Sequence, residues 1–149
     1  MYESLNEMNF ERRKDPFGAL GIGIHALIEK WLLEIADIED DYIINDDLTI
    51  DYSGGDVFLG HSELKEFFPD YIQFGEIVNG GFFCNDNQLI TLRGCPRYVR
   101  FAFCCNNNNL VSLKGCPIYV GGDFYCDNKF TRREVRVLCD VRHKIIIKI

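Results

Sequence analysis

Apolar side chains in the middle of this chain recur at a fixed interval. A shift of 21 places lays Val78 on Val99 and Val120, Phe82 on Phe103 and Phe124, and Cys84 on Cys105 and Cys126. The same shift lays Leu89 on Leu110, Leu92 on Leu113, and Gly94-Cys95-Pro96 on Gly115-Cys116-Pro117. Agreement at one period predicts a solenoid, in which each repeat packs only on its neighbours. Upstream, Gly54-Gly55-Asp56-Val57-Phe58-Leu59 matches Gly121-Gly122-Asp123-Phe124-Tyr125-Cys126 in type, and Leu64 follows Leu59 by five as Leu89 follows Cys84. Four rungs are counted in this way, the first two 25 apart with DYIQFGEI inserted after Pro69. That connection is expected to bulge or to add a short segment.

Inside each rung the alternation has period two, which places the first and third side chains of a short strand on one face. The inward pairs are Val57 and Leu59, Phe82 and Cys84, Phe103 and Cys105, and Phe124 and Cys126. Parallel strands stacked at about 4.8 Å put each inward residue over the next in a column. A buried reduced cysteine behaves as a small hydrophobe and suits such a column without any reactivity. Steps of about 4.8 Å do not converge on one zinc ion, so no metal is expected there. Cys95 and Cys116 precede proline at matching turns; Cys104 and Cys139 lie outside the repeated positions, and Cys104 is expected to point outward, open to modification or contact. Asn87 and Asn108 stand three places after the inward cysteine and Asn128 two after, as if the last rung had lost a residue. An asparagine here bonds the backbone with its side-chain amide where the chain leaves the strand.

The two ends follow a different pattern. After Asp15-Pro16, the residues Ile24, Leu27, Ile28, Trp31, Leu32 and Ile35 fall at spacings of three and four, which predicts a short turn and then a helix over about 24–37. GALGIG lacks the preceding strand and terminal Lys-Ser/Thr of a phosphate loop. The acid-rich IEDDYIINDDLTIDY lacks the spaced ligands and central glycine of an EF-hand, and reads as two short strands joined by a turn at Asn45-Asp46-Asp47. Thr131-Arg132-Arg133-Glu134 is a capping box opening a helix through about Cys139. The final Lys144–Ile149 segment has high β propensity and suits a strand added at a sheet edge or a homodimer contact.

Composition narrows the classes. A chain of 149 residues suits one domain, 47% of it hydrophobic, with no apolar run near the ~20 residues of a membrane span. The N-terminal stretch looks like neither a signal nor a transit peptide, so a cytoplasmic location is expected, with the seven cysteines reduced. A net charge of −7 opposes nucleic acid as a partner. His25, His61 and His143 stand in no nucleophile or metal motif; a Cys104–His61 thiol and base would need spatial contact, so no catalytic residue, metal or cofactor is assigned.

The rung Pro96, Val99, Phe103, Cys105, Asn108, Leu110, Leu113, Pro117 resembles the leucine-rich repeat, above all the short form of secreted bacterial effectors, over about residues 50–130. It departs in having one more residue before the strand, phenylalanine and cysteine for leucines, and Gly-Cys before proline. The helical N-terminus, INDDLTID and rungs joined by SLxGCP are also similar to small repeat proteins of tailed bacteriophages, a resemblance that implies a setting in the host cytoplasm and no catalytic residues.

The expected fold is therefore α/β: a leucine-rich-repeat-like solenoid with a stacked parallel sheet of about four rungs, capped by helices at both ends. Within one domain, 1–49 form a helical cap and acidic connector, 50–130 the solenoid, and 131–149 a C-terminal helix and tail. The outward strand positions Phe58, Phe83, Asn85, Cys104, Asn106, Tyr125 and Asp127 combine aromatic and polar groups as protein-binding patches do. The function expected is a non-enzymatic module that binds a host or phage protein through this face, with structural self-assembly as the alternative.

Overall fold

The computed structural model describes residues 23–62 and 64–149. The expectations for Asp15-Pro16 and for all of GALGIG but Gly23 lie outside the described residues. Helix α1 (Ile24–Glu34) presents Ile28, Trp31 and Leu32 inward, as the three-and-four spacing predicts. It ends three residues short of the expected 37. Strands β1 (Tyr42–Ile44) and β2 (Ile50–Tyr52) then form an antiparallel hairpin. The Asn45 amide fixes its turn by donating to the Thr49 carbonyl, Thr49 Oγ1 and Asp51 Oδ2.

From β2 onward the chain winds through about five turns, each contributing one strand to each of two parallel sheets. The turns comprise β2 with β3 (Val57–Phe58), β4 (Phe74–Ile77) with β5 (Phe82–Phe83), and β6 (Tyr98–Val99) with β7 (Phe103–Cys104). They continue with β8 (Tyr119–Val120) and β9 (Phe124–Asp127), then, after helix α2 (Arg132–Leu138), β10 (Asp140–Val141) and β11 (Ile145–Lys148). The sheets run β1-β2-β4-β6-β8-β10 and β11-β9-β7-β5-β3, parallel throughout except for the β1–β2 pair.

Three expectations change. The solenoid has two sheets, where the sequence pattern predicts one. It has about five turns instead of four, because Ile145 pairs with Phe124 and Ile147 with Cys126, 21 places on. Helix α2 sits in the connection between the fourth and fifth turns, so the segment expected as a tail after an end-capping helix is itself a turn. Its capping box forms as read: Glu134 N–H donates to Thr131 Oγ1 (3.1 Å), and Thr131 N–H donates to Glu134 Oε1 (2.8 Å).

The segment DYIQFGEI after Pro69 contains strand β4, whose pairing with β2 shifts register between Ile50 and Tyr52. In the second turn Ile77, and not Val78, faces inward and pairs with Val99; Val78 is exposed. The corner between β4 and β5 holds four residues where that between β6 and β7 holds three, which moves the apolar position by one.

The core is a column of aromatic rings with a column of thiols beside it. Phe82 lies 5.1 Å from Phe74 and 6.2 Å from Phe103, which lies 5.2 Å from Phe124. Trp31 joins this column through Phe68 (6.1 Å) and Phe74 (6.2 Å), which places α1 against the first turns. Each fully buried phenylalanine stabilises the fold by about 2–3 kcal/mol relative to an exposed one. The column residues Cys84, Cys105 and Cys126 are buried, and Cys84 and Cys105 also donate their thiol hydrogens to the carbonyls of Cys104 (3.5 Å) and Tyr125 (3.4 Å).

Asparagines hold the bends after β5 and β7. Asn108 accepts from Leu89 N–H (3.0 Å) and donates to the carbonyls of Cys84 (3.0 Å) and Cys105 (3.1 Å). Asn87 repeats this one turn earlier with Leu64 N–H and the carbonyls of Leu59 and Cys84. No residue is lost in the fourth turn: Phe103, Phe124 and Ile145 keep the 21-residue step, and Lys129 takes the place of Asn108, donating its Nζ to the Leu110 carbonyl (2.6 Å).

Candidate functional site

The outward face of the five-stranded sheet follows from register. Phe58 pairs with Phe83, Phe83 with Cys104, Cys104 with Tyr125, and Tyr125 with Ile146. One apolar stripe therefore crosses all five strands, over about 19 Å at the usual strand spacing. Its first two rings stack, with centroids 5.0 Å apart and planes 18° from parallel. Phe58 is 65% exposed, Phe83, Tyr125 and Ile146 are half-buried, and Cys104 is only 8% exposed.

Cys104 thus occupies the outward register expected of it but is not open. Phe83 and Tyr125 flank the small side chain on the adjacent strands. Burial pushes its thiol up to about 12, far from the range in which a thiolate reacts. His61, imagined as its base, instead lies with Nε2 3.5 Å from Asp86 Oδ2.

The polar residues beside the stripe divide by task. Asp127 accepts from the N–H groups of Asn107 (2.7 Å) and Asn108 (3.4 Å), and so braces the preceding turn. Asn85 donates to Asp86 Oδ2 (2.6 Å). Together with the Asn107 amide, this holds the Asp86 carboxyl below the usual carboxylate range, with Asn107 the larger cause. The side chain of Asn106 has no hydrogen bond among the described residues. The geometry therefore brings Phe58, Phe83, Cys104 and Tyr125 into one stripe and adds Ile146, while Asn85 and Asp127 serve the solenoid itself.

Sequence reasoning missed Ile146 because the fifth turn was not counted; extending the 21-residue shift from Tyr125 reaches it. It also missed a ladder on the other sheet, where Glu76, Tyr98, Tyr119 and Asp140 pair in succession. The Tyr98 and Tyr119 rings stack at 4.7 Å and 8°. Among the described residues no three His, Cys, Asp or Glu side chains converge on a metal position, and no helix is long and apolar enough to cross a membrane. Compared with known protein families, with curated proteins and with solved structures, the chain matches none.

Proposed function

We propose that this protein is a non-enzymatic interaction module that docks a protein partner on the outward face of its five-stranded sheet. The observation that carries this reading is the stripe Phe58–Phe83–Cys104–Tyr125–Ile146, led by a phenylalanine 65% exposed and stacked on its neighbour. Stacked aromatic anchors in a rigid frame are the residues that dominate protein–protein affinity, since little side-chain entropy is lost when they are covered. Asn106, beside the stripe, supplies hydrogen-bonding groups that fix orientation. The partner is a protein segment with a matching apolar ridge. The repeat spacing, similar to the leucine-rich repeat and to small phage proteins, supports a phage-encoded chain acting on a host or phage protein in the host cytoplasm.

A tagged chain should retain one stoichiometric partner from infected-cell lysate. Phe58→Ser with Tyr125→Ser should abolish retention, while Tyr98→Ser on the opposite sheet leaves it unchanged. Equal retention by all three would remove the stripe from the reading. Self-assembly is the second reading, favoured by β11 as the outermost strand of its sheet with Ile146 and Ile147 only half-buried. Sedimentation at rising concentration separates the two, because a monomeric binder shows no mass increase.

A further inference from the structure

On the corner away from the aromatic stripe, the turns before β6 and β8 stack to form a groove of about 860 Å³, lined also by Asp47 and Thr49 of the β1–β2 hairpin. The two turns are built alike. Thr91 Oγ1 accepts from Arg93 N–H and Ser112 Oγ from Lys114 N–H, both at 3.2 Å; Cys95 N–H donates to Leu92 and Cys116 N–H to Leu113, both at 3.0 Å. Arg93 and Lys114 are therefore equivalent positions on successive turns, about 4.8 Å apart at the backbone. Gly94 and Gly115 follow them at φ +102° and +94°. A Cβ on Gly94 would stand 2.8 Å from the buried Phe68, so this turn packs tightly against the core.

Three cations, Arg93, Arg97 and Lys114, face this groove against the single carboxylate of Asp47, on a chain whose net charge is −7. Like charges stacked on adjacent strands repel and are destabilising without a counter-charge. Asp70 Oδ1 (3.1 Å) and the Phe68 carbonyl (3.0 Å) hold the Arg93 guanidinium. Arg97 and Lys114 have no ion pair or side-chain hydrogen bond among the described residues. Thr49 donates to Asp47 Oδ1 from Oγ1 (2.6 Å) and N–H (3.1 Å), which holds the carboxyl below the usual range and leaves Oδ2 with no hydrogen bond among the described residues.

We propose that this groove binds an oligophosphate, either free or as the tail of a nucleotide. A carboxylate can meet two cations at that spacing, whereas a di- or triphosphate presents enough charged oxygens to meet all three, Arg93, Arg97 and Lys114, at once. A volume of about 860 Å³ accommodates a nucleotide-sized ligand. In that pose Asp47 accepts from a hydroxyl or amino group at the ligand's uncharged end. The inference does not depend on the protein-docking reading, which uses the opposite sheet.

The test is titration of the full chain with sodium tripolyphosphate and with ATP at fixed ionic strength, followed by calorimetry and ³¹P NMR. One saturable site is expected. Arg97→Gln with Lys114→Gln should weaken it by about tenfold or more, with the unfolding midpoint not lowered, because both side chains are exposed and their removal relieves repulsion. If ATP binds more tightly and Asp47→Asn removes the excess, the ligand is a nucleotide; equal affinities assign the site to the phosphate chain alone. No saturable binding, an equal response to sulfate, or undiminished binding by the double variant would overturn the proposal.

Discussion

Asn108 shows how much one side chain carries in a stacked fold. Its amide satisfies one N–H and two carbonyls that belong to two different turns, in a half-buried bend where water is a poor substitute. Asn108→Ala should therefore cost about 2–3 kcal/mol, more than the ~1 kcal/mol of a typical single hydrogen bond, because it strands backbone groups on both turns. Urea unfolding measures this directly, and a loss under 1 kcal/mol would mean that water replaces the amide. Lys129 illustrates the opposite case: at the equivalent place in the next turn a charged amine serves only one carbonyl.

At the scale of elements, β10 and β11 decide how the C-terminal segment is to be read. Ile145 is 3% exposed, and β11 pairs with β9 over four consecutive residues, so these strands belong to the core. Removal of residues 140–149 should lower stability by at least about 3 kcal/mol, from lost burial of Ile145 with parts of Val141 and Ile147. It would also expose the edges of β8 and β9 and promote association. An unchanged urea midpoint in the truncated chain would identify the segment as an appendage. In a solenoid the loss should be confined to the neighbouring turn, which hydrogen exchange can follow residue by residue.

Over the whole molecule, burial is the largest cause of raised thiol pKa values at Cys95, Cys104, Cys105, Cys116, Cys126 and Cys139. Four of these are pushed to a definite region, Cys126 to about 11 and Cys104, Cys116 and Cys139 to about 12. In the unfolded chain a thiol ionises near 8.5, so above that pH the unfolded state binds fewer protons than the folded one. The stabilisation is fully present below about pH 8.5 and is lost as pH rises toward 11 to 12. Unfolding midpoints should accordingly be flat between pH 6 and 8 and fall steeply above about 9, exceeding the ~1.4 kcal/mol per pH unit of one thiol. A flat profile to pH 10.5 would mean that the thiols ionise in the folded state.

The solenoid, the inward Phe–Cys pairs and the asparagine bends were all legible in the sequence, for one physical reason. Parallel turns stacked at a constant spacing put equal side chains in equal surroundings, so spatial columns become a period along the chain. The fifth turn was hidden because Ile145 and Ile147 preserve the spacing while replacing both the phenylalanine and the cysteine that marked it. The second sheet was hidden because strands of two residues, such as Tyr98–Val99, carry no alternation to detect. What only the tertiary structure decided is accessibility and convergence. Cys104 is outward by register yet covered, since exposure depends on the size of the side chains on the adjacent strands. The cationic groove joins Asp47 to Lys114 across 67 positions of sequence, a proximity that arises only when the hairpin and two later turns close around one corner.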